Sequence, residues 1–193
     1  MSLFFALLTV GANVFVLLTL GLAIGARYSG GAHRAFGRLR EAVDGSSLAM
    51  AWVVALVATL GSLYYSEVAH LPPCTLCWYQ RIAMYPLAIV LAIAALRSDF
   101  GIRRYVLPIV AIGAAISAYH YQLERFPSQT TLACSVDVPC TTLWVWQLHY
   151  ISIPFMALSA FALIATLLLI GPSGDEVLGR GGALRIDEME VAA

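Results

Sequence analysis

The chain has 193 residues, 61% of them hydrophobic and only 11% charged, with a mean hydropathy of +0.83. A soluble domain carries about 25% charged residues, so this composition excludes a disordered chain, a nucleic-acid binder and an ordinary cytosolic globule. Eleven arginines, with no lysine, balance eleven acidic residues, so no polyanionic partner is implied. What remains is an all-α integral membrane protein embedded in lipid.

A helix crosses the hydrocarbon layer in about 20 residues. Residues 1–26 carry no charged side chain and predict a first span. A cleaved signal peptide is the rival reading, but the opening Met-Ser-Leu-Phe-Phe has no positive n-region, and cleavage would export Arg27 to Arg40. Residues 28–47, with Gly30, Gly31, Gly37 and Gly45, read as a flexible cytoplasmic linker. Spans follow at 48–66, at 78–96 with Arg81 inside, and at 105–123. The charge-free stretch 138–174 is too long for one span, so Thr141–Tyr150 is placed at the membrane surface and the fifth span at about 150–171. The tail, 171–193, is rich in glycine and acids and reads as disordered. The expected organisation is therefore an extra N-terminal helix (1–27), a linker (28–47), a four-helix unit (48–170) and a tail (171–193).

Nine of the eleven arginines fall in the first loop, the third loop and the tail. The positive-inside rule then puts those segments in the cytoplasm and the N-terminus outside. Loops two (67–77) and four (124–149) face the extracytoplasmic side, and each holds a pair of cysteines.

Cys74 and Cys77 sit in Pro72-Pro73-Cys74-Thr75-Leu76-Cys77, where two prolines precede a helix start. A helix N-terminus favours a thiolate, and Cys77 is expected to feel it most. Arg81 follows Cys77 at i+4 on the same face, placed to stabilise an anion there. Cys134 and Cys140 enclose five residues, including Asp137 and Pro139, a ring that can close as a mobile, exposed and exchangeable disulfide. Two structural disulfides and a four-cysteine zinc site are the bland readings. The oxidising side of the membrane and the loose second spacing disfavour the metal. Two pairs facing one side favour a redox relay.

The string from Pro73 to Arg81 resembles the P-C-x-L-C-x-x-x-R signature of the disulfide bond formation protein B (DsbB) family, in its BdbC-like branch with closely spaced loop cysteines. The resemblance extends to Tyr119–Pro127, to Cys134 and Cys140, and to Ile151–Phe155, covering about residues 48–171. It implies a quinone-dependent thiol oxidase in the bacterial inner membrane. Cys134 and Cys140 would take electrons from a thioredoxin-fold (DsbA-like) partner, with Cys134 favoured for the attack. Cys74 and Cys77 would pass the electrons to a membrane quinone, menaquinone or ubiquinone, with no metal. The resemblance puts the thiolate facing the quinone at Cys77 and supports it with Arg81 and His120. His120 has a plainer reading as an interfacial histidine held by Tyr119 or Tyr121. Trp144 and Trp146 either line the quinone site or belong to an interfacial aromatic belt. Asn13 reads as a helix contact, and Pro86, Pro108 and Pro154 as kinks or span starts.

Two rivals stand beside this reading. A vitamin K epoxide reductase-like enzyme also joins a loop pair to C-x-x-C, but there the loop pair comes first. A scaffold with structural disulfides leaves the in-membrane Arg81 without a role.

Overall fold

A computed structural model describes residues 2–129, 134 and 138–172, and the predicted tail lies almost wholly outside that range. The described residues are helical with irregular connections. The helices are α1 (Ser2–Gly25), α2 (Gly30–Val43), α3 (Ser47–Leu63), α4 (Thr75–Arg97), α5 (Arg103–Arg125) and α6 (Ile153–Ile170). A π-helical turn, Tyr64–Val68, extends α3, and 3₁₀ turns flank α5 at Phe100–Ile102 and Pro127–Gln129. Five segments are long and apolar enough to cross a membrane: Ser2–Gly25, Ser47–Val68, Thr75–Arg97, Phe100–Arg125 and Ile153–Ile170. They match the five predicted spans, because a charge-free run of this length has every backbone polar group satisfied only as a helix.

The segment at 28–47 departs from expectation. Instead of a flexible linker it forms α2, whose glycines do not interrupt a stripe of Phe36, Leu39 and Val43 packed on the bundle. Arg40 Nε donates to the Ile170 carbonyl at 3.2 Å, setting a cation against the negative end of α6. Tertiary packing outweighs glycine propensity here.

The bundle core is built from Leu87 and Leu91 of α4, Val106 and Val110 of α5, and Phe161, Ile164 and Leu167 of α6. Lipid is as apolar as these side chains, so close van der Waals approach holds the helices together. Ala51 and Ala55 of α3 are fully buried, and the Phe161 ring fills the space a Cβ on Gly113 would need. Pro86 and Pro108 lie inside α4 and α5, while Pro154 begins α6. Asn13 of α1 donates to Ser159 Oγ of α6 at 3.0 Å, the helix contact that its polarity suggested. Residues 141–150 are irregular chain ending in a turn, closed by a bridge between Gln147 and Ile151, with Leu148 and His149 at positive φ.

Candidate redox site

Cys74 is the N-cap of α4, in extended conformation. An N-cap side chain accepts from the N–H two or three positions on, and here the Cys77 backbone N–H donates to Cys74 Sγ at 3.3 Å. The helix terminus therefore serves Cys74, whereas the sequence pointed to Cys77. The two sulfurs lie 2.7 Å apart, and both thiols are free. The hydrogen bond from Cys77, helped by His120, lowers the Cys74 thiol to about 4 against the opposing effect of burial. Of the two thiols, Cys74 is the one whose environment favours loss of its proton.

His120, on α5, is buried. Its Nε2 lies 3.1 Å from the Cys140 carbonyl and 3.6 Å from Cys74 Sγ. A carbonyl only accepts, so Nε2 carries the proton. Nδ1 is 2.9 Å from the Gln80 amide, which fixes the tautomer from the other side. Cys74, Cys77 and His120 have their donor atoms within 4.8 Å of one another, a grouping found at metal sites. In this tautomer, however, both ring nitrogens are already engaged.

Cys134 and Cys140 are joined as a disulfide, with Cα atoms 5.7 Å apart. Cys140 is buried in a small cluster with Cys74, Leu76 and Leu123, whereas Cys134 is only half-buried. The exposure expected of the whole disulfide thus belongs to Cys134 alone. Asp137, between them, lies outside the described residues.

On the opposite side of Cys77 is a cavity of about 310 Å³. Among the described residues lining it are Cys77, Gln80 and Arg81 of α4, but not Cys74 or His120. It runs along α3 and the π-helical turn that extends it, from Val53 to Tyr65, about 18 Å at the α-helical rise. Arg81 Nε donates to Ser62 Oγ at 2.9 Å and Nη2 to the Ser62 carbonyl at 3.1 Å, while its guanidinium covers the Trp78 ring at 5.4 Å. Trp144 lines the cavity, whereas Trp146 stacks under Arg125 at 5.2 Å. His120, which the resemblance set beside a quinone, stands between the two cysteine pairs and is not among the residues lining this cavity.

Several residues of the site had no reading in the sequence. Gln80 and Ser62 gain their meaning only from His120 and Arg81, on other helices, and Tyr65 only from the cavity that it lines. Glu124, buried one turn beyond His120 with Oε2 unpartnered among the described residues, is another. The one available signal was periodicity: Cys77, Gln80, Arg81 and Met84 recur at helical spacing on one face.

A membrane bundle that sets a C-x-x-C pair at a helix start against a loop disulfide is a disulfide-exchanging membrane oxidoreductase. The family profile described as "Disulfide bond formation protein DsbB" matches residues 45–171, and the chain belongs to that family. It is similar to disulfide bond formation protein C of Bacillus subtilis, 49% identical over 114 residues, 58% of this chain and 83% of the relative. It is also similar to the probable disulfide formation protein C 1 of Bacillus cereus (45% over 128 residues; 65% and 91%) and the probable disulfide formation protein of Deinococcus radiodurans (48% over 131; 63% and 85%). No solved structure matches it. The chain is thus a multi-pass membrane, disulfide-forming oxidoreductase.

Proposed function

We propose that the protein reoxidises an extracytoplasmic thioredoxin-fold partner and delivers the electrons to a membrane quinone. The supporting observation is the division of labour in the Cys74–Cys77 pair: Cys74 faces the loop disulfide across His120, and Cys77 faces the cavity.

A partner thiolate attacks Cys134, the less buried sulfur, and releases Cys140. The second partner thiol resolves the mixed disulfide, leaving an oxidised partner and a Cys134/Cys140 dithiol. Cys140 then attacks Cys74 of a Cys74–Cys77 disulfide, releasing Cys77. Cys134 closes back on Cys140 and leaves Cys74 and Cys77 reduced, the arrangement described above. His120 donates to the Cys140 carbonyl and holds the loop beside Cys74, while its hydrogen bond supports Cys74 as leaving thiolate. Each cycle moves two electrons and two protons, and the Cys74/Cys77 dithiol gives them up as it returns to the disulfide.

The cavity fits a quinone. Its volume is at the lower end of ligand pockets, and its walls are mostly apolar with a few convergent polar groups. The hydroxyl of Tyr65, buried at its rim, has no hydrogen-bond partner among the described residues. A bound quinone supplies the two-electron sink. Cys77 presents its sulfur to that space, and Arg81, braced by Ser62, keeps a cation there for charge developing on acceptor oxygens. The arginine distribution supports placing the site at the extracytoplasmic side of the bacterial cytoplasmic membrane.

Serine variants test the relay. Cys74→Ser or Cys77→Ser should abolish quinone reduction, while Cys134 and Cys140 still exchange once with partner. Cys134→Ser should abolish partner oxidation. Wild-type turnover of partner by a Cys134 or Cys140 variant would sink the two-pair relay.

A further inference from the structure

The family match begins at residue 45, so α1 lies outside it, yet α1 borders the cavity. Phe5, Leu8, Thr9 and Ala12 line it, spaced i, i+3, i+4 and i+7 on one helical face. The rest of the helix is largely exposed: Leu17 is 67% and Leu18 60% exposed, as suits a surface against lipid.

Three contacts fix this face. Asn13 donates to Ser159 Oγ, and Gln147 Nε2 donates to Ser2 Oγ at 3.1 Å, tying α1 to α6 and to the segment before it. Phe5 packs on Gly61 of α3, where a Cβ would lie 2.9 Å from the ring, so the glycine makes room for it. The Phe5 ring also lies 5.8 Å from that of Tyr65. Tyr65 is the cavity residue whose buried hydroxyl has no partner among the described residues. A buried hydroxyl without a partner is unfavourable unless a ligand satisfies it.

Resting on the quinone reading above, we infer that α1 is a wall of the acceptor site: its Phe5–Ala12 face closes the cavity against lipid, and Phe5 holds Tyr65 so that its hydroxyl can donate to a quinone carbonyl. A four-helix unit would leave this flank to the lipid. With α1 in place, ring and first prenyl units meet protein on that flank, and affinity depends on residues that the family unit does not contain.

A photoreactive azidoquinone, applied to full-length protein in detergent with the sites of attachment read by mass spectrometry, tests this without turnover. Labelling should fall on Phe5–Ala12 and be competed by unlabelled quinone. Ala12→Phe, which projects a ring into the cavity, should cut that labelling and raise the quinone KM about tenfold. Tyr65→Phe, which keeps the ring packing, should raise KM about threefold to tenfold, the loss of one hydrogen bond. Leu17→Phe on the lipid face should change neither, and single-turnover exchange with a reduced thioredoxin-fold partner should stay at the wild-type rate throughout. Competable labelling confined to α3, α4 and α6, with unaltered KM in Ala12→Phe and Tyr65→Phe, would overturn the role of α1 alone. Wild-type protein that neither reduces quinone nor takes up competable label would overturn the quinone reading itself.

Discussion

Replacing Arg81 with methionine isolates the cation of the site. The guanidinium lies nearly two turns inside α4, where a charge is costly, yet it is not left to snorkel: Ser62 engages two of its donors, one at the hydroxyl and one at the carbonyl. Tyr85 donates to the same Ser62 hydroxyl at 3.3 Å, so α3 and α4 are clamped around the cavity mouth. Arginine has five N–H donors in a planar fork; with two spent on Ser62, the others remain to meet an acceptor oxygen. Methionine keeps an unbranched apolar stem, removes the charge and the guanidinium fork, and leaves the backbone of α4 unchanged. A hydrogen bond to a charged group contributes about 1.5–3 kcal/mol, which predicts a fall in kcat/KM for quinone of roughly 10- to 150-fold. Ser62→Ala removes one of the two braces and keeps the charge, so a smaller fall is expected. The assay is quinone reduction against quinone concentration, run beside single-turnover exchange with a reduced partner, which should be unaffected because that chemistry lies on the Cys74 side. Unchanged quinone kinetics in a well-folded Arg81→Met protein would refute the reasoning and reduce Arg81 to a helix clamp.

Cys74 should remain a thiolate, read by ultraviolet absorbance, as pH falls from the ordinary thiol range to about 4; Cys77→Ala, removing the main hydrogen bond, should move that midpoint up. The sign also fixes a stability effect. Stabilisation from this group is complete above the unfolded thiol pKa of about 8.5 and is lost as pH falls through the folded value, so a Cys74→Ala protein should show a flatter dependence of Tm on pH. Gly113→Ala drives a methyl into the Phe161 ring and should destabilise the bundle by about 1–3 kcal/mol, measured as Tm in detergent; Phe161→Leu should restore part of the loss, and an unchanged Tm would contradict the packing. In reduced cells a membrane-impermeant maleimide should label Cys134 fastest, from outside, since Cys140 and Cys74 are only 1% and 4% exposed. Labelling solely from the cytoplasmic side would reverse the orientation.

Much of this protein is written in local chemistry. Apolar runs near 20 residues, charge-free but for Arg81 in one of them, admit only helices in lipid, so the five spans could be read directly, and Pro73-Cys74-Thr75-Leu76-Cys77 with Arg81 one turn on marks a reactive helix start. Those are properties of neighbouring residues, and neighbours are visible in a sequence. Relations across helices are not. Nothing near Gln80 shows that it holds His120, nothing near Ser62 shows that it braces Arg81, and although Phe36, Leu39 and Val43 recur at helical spacing, nothing in Gly30–Val43 shows which surface that stripe will pack against. The assignment of the helix terminus to Cys74 depended on one cap conformation, and the separation of His120 from the cavity depended on the rotation of α5. Asn13 could be read as a contact, because an amide in lipid needs a partner, but Ser159 is 146 positions away. The face of α1 that borders the cavity carries Phe5, Leu8 and Ala12, side chains of the same apolar kind as those against lipid, so only packing decides which face meets a ligand.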